Sequence, residues 1–355
     1  MILVTGGAGF IGSNFILDWL AHCAEPVLNV DALTYAGNRN NLAALEGDPR
    51  HLFVRADIGD QQRMLALLNE HRPRALLHFA AESHVDRSIA SPGAFVATNV
   101  DGTFSLLEAA RSYWSAQDAA GRAAFRFLHV STDEVYGSLG AGEAPFRESS
   151  PYAPNNPYAA TKAASDHLVR AWHHTYGLPT LATTCSNNYG PFQFPEKLVP
   201  LVIANALAGR PLPVYGDGMQ VRDWLYVGDH CAALRRVLAA GVPGQAYNIG
   251  AANEVANLDL VHALCDLLDR LAPRQHSYRA LVAHVADRPG HDRRYAIDAG
   301  KLERELGWKP AETFHSGMLK TVRWYLANQA WVADVQSGAY LHWVEQNYAR
   351  RGPGR

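Results

Sequence analysis

Short apolar runs alternate with longer amphipathic stretches through the first half of the chain. ILVT, VLNV, HLFVRA, ALLHFA and RFLHVS are too short for helices and rich in Val, Leu and Phe, whereas FILDWLAHCA, RMLALLNEH and TFSLLEAARSYW place apolar residues at helical intervals. Strands separated by helices pair side by side through right-handed crossovers, so the pattern predicts an α/β fold built on a doubly wound parallel sheet. After about residue 186 the alternation loosens. Pro- and Gly-rich pieces such as NNYGPFQFPEKLVP, GRPLPVYGDG and DRPGHDRR separate further helical stretches, among them NLDLVHALCDLLDRL and MLKTVRWYLANQ. The expected division is a sheet domain over residues 1–186, a smaller lobe over 187–330 from which some segments return to the first domain, and an extension over 331–355 whose end, RRGPGR, is expected to fray.

Composition narrows the function classes. A chain of 355 residues with 48% hydrophobic content can bury a large core, and a formal charge of -2 gives no overall attraction to nucleic acid or to an anionic membrane, so neither is an expected partner. Any anionic ligand must then be held by local arginines. The longest apolar stretch, LVPLVIANALAG, is too short and too interrupted to span a bilayer, and the chain enters its first strand without a basic leader. Cys23, Cys185, Cys231 and Cys265 stand far apart with no CxxC pair, which favours reduced thiols and predicts a cytoplasmic protein. The pair His173-His174 has no carboxylate or cysteine at ligand spacing, so it is read as structural and no metal is expected.

The stretch TGGAGFIG, with Gly6, Gly9 and Gly12, follows the first strand directly and opens a helix. Glycines allow a tight turn and let the backbone approach a pyrophosphate, while the helix N-terminus offers free N–H groups and partial positive charge. This makes the sheet a Rossmann-type nucleotide-binding one. Asp31 ends the second run 19 residues after Gly12, where a carboxylate accepts hydrogen bonds from a ribose diol and repels a 2′-phosphate. The expected cofactor is therefore NAD. Asp57, in RADI after the third run, fits either an adenine-side contact or an acidic helix N-cap.

Two further stretches carry reactive groups. PYAATK sets Tyr158 and Lys162 four residues apart, on one face of a helix, where an ammonium and the positive ring of bound NAD stabilise a phenolate. STDEVYG ends a buried strand with two adjacent carboxylates, Asp133 and Glu134, where charge is costly unless it is used.

Together with AAESHVDRSI, SNNYGPFQFPEKLVP, PVYGDGMQVRDWLYV and DRPGHDRRYAID, these pieces resemble the extended short-chain dehydrogenase/reductase family from Met1 to about residue 330. Within it the chain looks most like the nucleotide-sugar 4,6-dehydratases, because related epimerases typically lack the Asp-Glu pair. The resemblance implies that Gly6, Gly9, Phe10, Ile11, Gly12, Asp31, Ala32, Leu33, Thr34, Asp57, Ile58, Ala80, Ala81, Glu82, Thr98 and Asn188 border NAD together with Tyr158 and Lys162. It places a nucleoside diphosphate sugar, with dTDP-glucose the expected one, against Ser83, Thr132, Asn187, Lys197, Leu198, Pro213, Val214, Tyr215, Asn257, Asp287 and His291. Arg222 and Arg288 are chosen for the diphosphate, since guanidinium forks match phosphate oxygens; simple pairing with Asp223 or Asp287 is the other explanation. The implied reaction begins with Tyr158 removing the proton of a 4-hydroxyl oriented by Thr132. Glu134 then takes the proton from carbon 5, Asp133 protonates the departing 6-hydroxyl, and hydride returns to carbon 6. A uridine nucleotide, a 4-epimerase and a non-catalytic NAD-binding protein stay open as alternatives, and a homodimer is implied by the resemblance.

Overall fold

The computed structural model describes residues 1–336; the expected end of the extension, with RRGPGR, lies outside the described residues. Among the described residues twelve strands follow in chain order: β1 (Ile2–Thr5), β2 (Val27–Asp31), β3 (His51–Arg55), β4 (Ala75–His78), β5 (Arg126–Thr132), β6 (Thr180–Cys185), β7 (Asn187–Tyr189), β8 (Leu212–Tyr215), β9 (Val221–Tyr226), β10 (Ala246–Ile249), β11 (Glu254–Ala256) and β12 (Val282–Val285). Seven of them form one parallel sheet in the order β3-β2-β1-β4-β5-β6-β10. The order reverses between β1 and β4, which opens a crevice at their carboxyl ends, where ligands collect in open α/β sheets.

Both faces of the sheet are covered, which is why the central strands read as continuous apolar runs. On one face the helices Phe10–His22 and Val227–Ala240 bury Phe15, Ile16, Leu234 and Val237 against Ile2, Val4, Leu77 and Leu128. On the other, the helices Gln61–His71, Thr103–Ser115 and Pro157–Tyr176 bury Leu67, Leu106 and Val169 with Leu3, Leu76 and Phe127. A separate cluster holds the later part of the chain, where the helices Leu198–Leu207, Asn257–Leu271 and Phe314–Ala327 pack around β8 and β9 through Ile203, Leu260, Leu264, Val322 and Trp224. The short strand β10, of sequence AYNI, crosses back to pair with β6.

The polar loop over residues 137–150 is ordered by distant partners. Leu139 N–H donates to the Arg294 carbonyl, Phe146 N–H to the Ala296 carbonyl, and the Phe146 ring stacks on Tyr136.

Candidate active site

The first turn after β1 is shaped by what cannot be there. A Cβ on Gly6, which has φ +73, would stand 2.5 Å from the Ala80 nitrogen, and one on Gly12 would stand 2.3 Å from the Gly6 carbonyl oxygen. The helix Phe10–His22 begins here with no side-chain cap, so its first amides remain for an anion. At the end of β2 the Asp31 carboxylate accepts Ala8 N–H at 2.9 Å through one oxygen and Leu33 N–H at 2.7 Å through the other. Each oxygen keeps a lone pair for a ribose hydroxyl. Gly6, Gly9, Phe10, Ile11, Gly12, Asp31, Ala32, Thr34, Asp57, Ile58, Ala80, Ala81, Glu82, Thr98, Tyr158, Lys162 and Asn188 line one cavity of about 300 Å³. The glycine cradle, uncapped helix and terminal carboxylate suit a dinucleotide without a 2′-phosphate. Leu33 stands outside that wall, and only its N–H acts, holding Asp31. Asp57 turns back to accept Gly59 N–H, and the helix cap is Asp60, so capping does not account for Asp57.

A second cavity of about 160 Å³ adjoins the first, and Glu134, Asn187, Asn188, Gln193, Glu196 and Lys197 line both. Leu198, Pro213, Val214, Tyr215, Arg222, Asn257, Arg288 and His291 are among the residues that line only the second, whereas Ser83 and Thr132 lie on the first. Asp287 is exposed and off the wall; it grips His291 Nδ1 at 2.6 Å and accepts from the Gln220 amide. Neither guanidinium is paired with the aspartate beside it in sequence, Asp223 or Asp287. Arg222 is 4% exposed, donates to the Val221 and Asp292 carbonyls and lies against the Tyr295 ring, while Arg288 reaches Asp86 at 3.8 Å. Asp223 instead accepts the Ala251 and Asn253 amides. Asn187 Oδ1, Asn257 Oδ1 and Arg288 Nε are buried without a hydrogen-bond partner among the described residues, the mark of a wall built for a polar ligand. Burial, then Arg288 and Arg222, push His291 down to about 4, so it meets a ligand neutral at pH 7.

The reacting groups gather where the cavities meet. Thr132 ends β5, and its hydroxyl accepts Glu134 N–H at 3.3 Å, capping the helical turn Asp133–Tyr136 that carries both acids. Glu134 is held by the Asn156 amide at 3.0 Å, and Asn156 also caps the helix Pro157–Tyr176 through Ala159 N–H at 2.8 Å. Asp133 is 1% exposed, and its Oδ2 has no hydrogen-bond partner among the described residues. Burial first, then the charges of Glu134 and Asp223, hold it well above the usual carboxylate range. Tyr158 is also driven well above its ordinary value, by burial and then Glu134, against a hydrogen bond from the Thr132 side that lowers it. The Lys162 ammonium donates to the Val130 carbonyl at 2.9 Å, so its effect on the phenol is not the dominant one in this arrangement. Tyr35, Gln193, Glu196, Asp86 and Asn156 belong to these walls or hold them, yet sequence reasoning passed over them. Only Asn156 had a readable signal, an asparagine immediately before a proline-led helix.

A parallel sheet with a glycine turn after β1, a carboxylate after β2 and a Tyr/Lys pair facing the end of β5 defines an NAD-dependent short-chain dehydrogenase/reductase of the extended type. A family model described as GDP-mannose 4,6 dehydratase matches residues 3–321. The dTDP-glucose 4,6-dehydratase of Xanthomonas campestris pv. campestris (strain B100) is 63% identical over 95% of this chain and 96% of its own, and that of Escherichia coli (strain K12) is 58% identical over 99% of both. The solved dTDP-glucose 4,6-dehydratase of Streptomyces venezuelae, with NAD bound, aligns at a TM-score of 0.86 and 48% identity over 94% of this chain and 99% of that one. The chain belongs to the dTDP-glucose 4,6-dehydratase family.

Proposed function

We propose that this chain is a hydro-lyase that converts dTDP-glucose to dTDP-4-keto-6-deoxy-glucose with bound NAD, a reaction of deoxysugar biosynthesis. The observation that carries the reading is the acid pair: a buried, proton-retaining Asp133 beside a Glu134 that faces both cavities. Bound NAD supplies the electron-pair acceptor for carbon 4 and the donor for carbon 6. Gly6, Gly9, Gly12, Asp31 and the residues around them would hold it, with Lys162 and Asn188 on its reacting side. Tyr158 takes the 4-hydroxyl proton, and Thr132, fixed at the strand end, orients that hydroxyl. The ketone at carbon 4 acidifies the hydrogen on carbon 5, so the carboxylate of Glu134 suffices as base. Asp133, kept neutral by burial and by its charged neighbours, gives its proton to the departing 6-hydroxyl. Arg222, Arg288 and Lys197 balance the diphosphate in the second cavity, with residues 1–186 serving mainly the cofactor and 187–330 the sugar nucleotide. An epimerase needs Tyr158 and Lys162 but gives no work to two acids, which is why elimination is favoured.

Replacing Glu134 with Gln separates the readings. Formation of the 4-keto-6-deoxy sugar is expected to fall by about 10²-fold or more, while hydride transfer from carbon 4 to NAD, read as NADH absorbance, persists in part; an unchanged yield contradicts the role. Two finer points belong to the same reading. Three of the four free cysteines are buried thiols, which fits the cytoplasm, and among the described residues no helix is long and apolar enough to cross a membrane. Ile89, Val96, Phe104 and Tyr176 stay exposed on helical segments flanking the sheet, which supports a homodimer. A native mass near twice 38.9 kDa is expected, and a monomer contradicts it.

A further inference from the structure

The Lys162 ammonium is 4% exposed. A buried ammonium is costly without an opposite charge, and its hydrogen bond to the Val130 carbonyl supplies none. Every titratable group turned toward it except one is neutral or belongs to the reaction. From β4 and β5, His78 and His129 are fully buried and driven well below the usual imidazole range, His129 by burial and then by Lys162 itself. From β6, burial pushes the Cys185 thiol up to about 12. From the segment ahead of the helix, Tyr152 is raised by burial, as is Tyr136 from the turn after β5. Glu134 and Asp133 act on Tyr158, and His167 faces Asp166.

The exception is Asp166, one helical turn beyond Lys162 and 7% exposed. Its Oδ2 accepts the Ser131 hydroxyl at 2.8 Å and the Tyr152 hydroxyl at 2.9 Å, and its Oδ1 lies 3.1 Å from His129 Nε2. The same ring nitrogen is 3.5 Å from Lys162 Nζ and accepts from it, since an ammonium can only donate, so His129 Nε2 stands between the ammonium and Asp166 Oδ1, which itself has no hydrogen-bond partner among the described residues. Asp166 thus receives two donors, both on Oδ2, without lining either cavity.

Building on the reaction proposed above, we infer that Asp166 is a positioning residue. Its carboxylate is the counter-charge that keeps the Lys162 side chain charged and in place, and Ser131 and Tyr152 hold that carboxylate. Burial, opposed by Lys162, sets Asp166 at about 6, so its ionised form prevails at pH 7. Removing it leaves a desolvated ammonium whose own pKa is already pulled down by burial and raised chiefly by Asp166.

The test is the pH profile of kcat for dTDP-glucose in the wild type and in Asp166→Asn. Lys162 must carry its proton to work, and a lowered pKa means that activity is lost at lower pH as pH rises. The alkaline limb is therefore expected to move down by about one unit or more. KM is expected to stay within about twofold, because Asp166 does not touch the ligand. Asp166→Glu, which keeps the charge, is expected to leave that limb near its wild-type position. A lower kcat with an unmoved limb overturns the proposal, since a merely structural role predicts that result. If Asp166→Asn leaves too little folded protein, adding Lys162→Met is expected to restore it by removing the unpaired ammonium; a double variant as unstable as the single one also overturns the proposal. Wild-type turnover tests the reaction independently: an active wild type with an unaltered variant profile rejects only the role of Asp166.

Discussion

Asp133 and Glu134 are neighbours in sequence with different surroundings. Glu134 is partly exposed at the junction of the cavities and tied to Asn156, whereas Asp133 is buried with one oxygen unpartnered among the described residues. Burial raises the folded-state pKa of Asp133, so below the unfolded value near 3.8 the group is protonated in both states and has no effect on stability. As pH rises past that value the unfolded chain gains by ionising while the native state retains its proton, and stability falls until the folded pKa is passed. Asp133→Asn removes that cost. Its melting temperature is expected to exceed that of the wild type by about 2 °C or more at pH 7, with the gap closing below pH 4, while elimination is lost. A gap that does not depend on pH contradicts a raised Asp133 pKa. At this scale the sequence was legible wherever chemistry demands a residue type at a strand end, as at Asp31, Thr132 and Glu134. It was silent on Asp166, which in ASDH reads as ordinary helix filler, and on His129, which reads as a break in an apolar run.

The helix Pro157–Tyr176 joins the reacting parts. Its capping residue Asn156 uses one amide oxygen to start the helix and the amide nitrogen to hold Glu134. Asn156→Ala is expected to cost about 1 kcal/mol of stability from the lost cap and to lower kcat more than that loss explains, because Glu134 is released. Thermal melting and steady-state rates check this, and a stability loss with full kcat contradicts the link. The elements themselves were largely readable, since NLDLVHALCDLLDRL is the helix Asn257–Leu271 to the residue, and the five apolar runs named from the pattern are β1 to β5. The pattern implies that some later segments return to the first domain, but it does not show that AYNI joins the sheet. Four residues carry no decisive period, and their pairing with β6 spans more than sixty positions. The loop over 137–150 was illegible for the same reason, because its partners lie near residues 294–298.

Across the whole molecule, the sheet presents a dinucleotide site at the β1/β4 reversal and the later segments present a second cavity that Lys197, Arg222 and Arg288 line, with Tyr158, Glu134 and Asp133 at the seam. Two cavities sharing one wall suit a reaction in which the cofactor stays bound and only the sugar nucleotide exchanges. The chemistry is then redox-neutral, and the electron pair taken from carbon 4 must come back to the same sugar at carbon 6. The direct measurement is turnover of dTDP-glucose carrying deuterium at carbon 4, with catalytic NAD and product analysis by NMR. The expected product is a 4-keto-6-deoxy sugar, one water lighter, with the deuterium at carbon 6. Recovery of the 4-epimer with deuterium still at carbon 4 contradicts it.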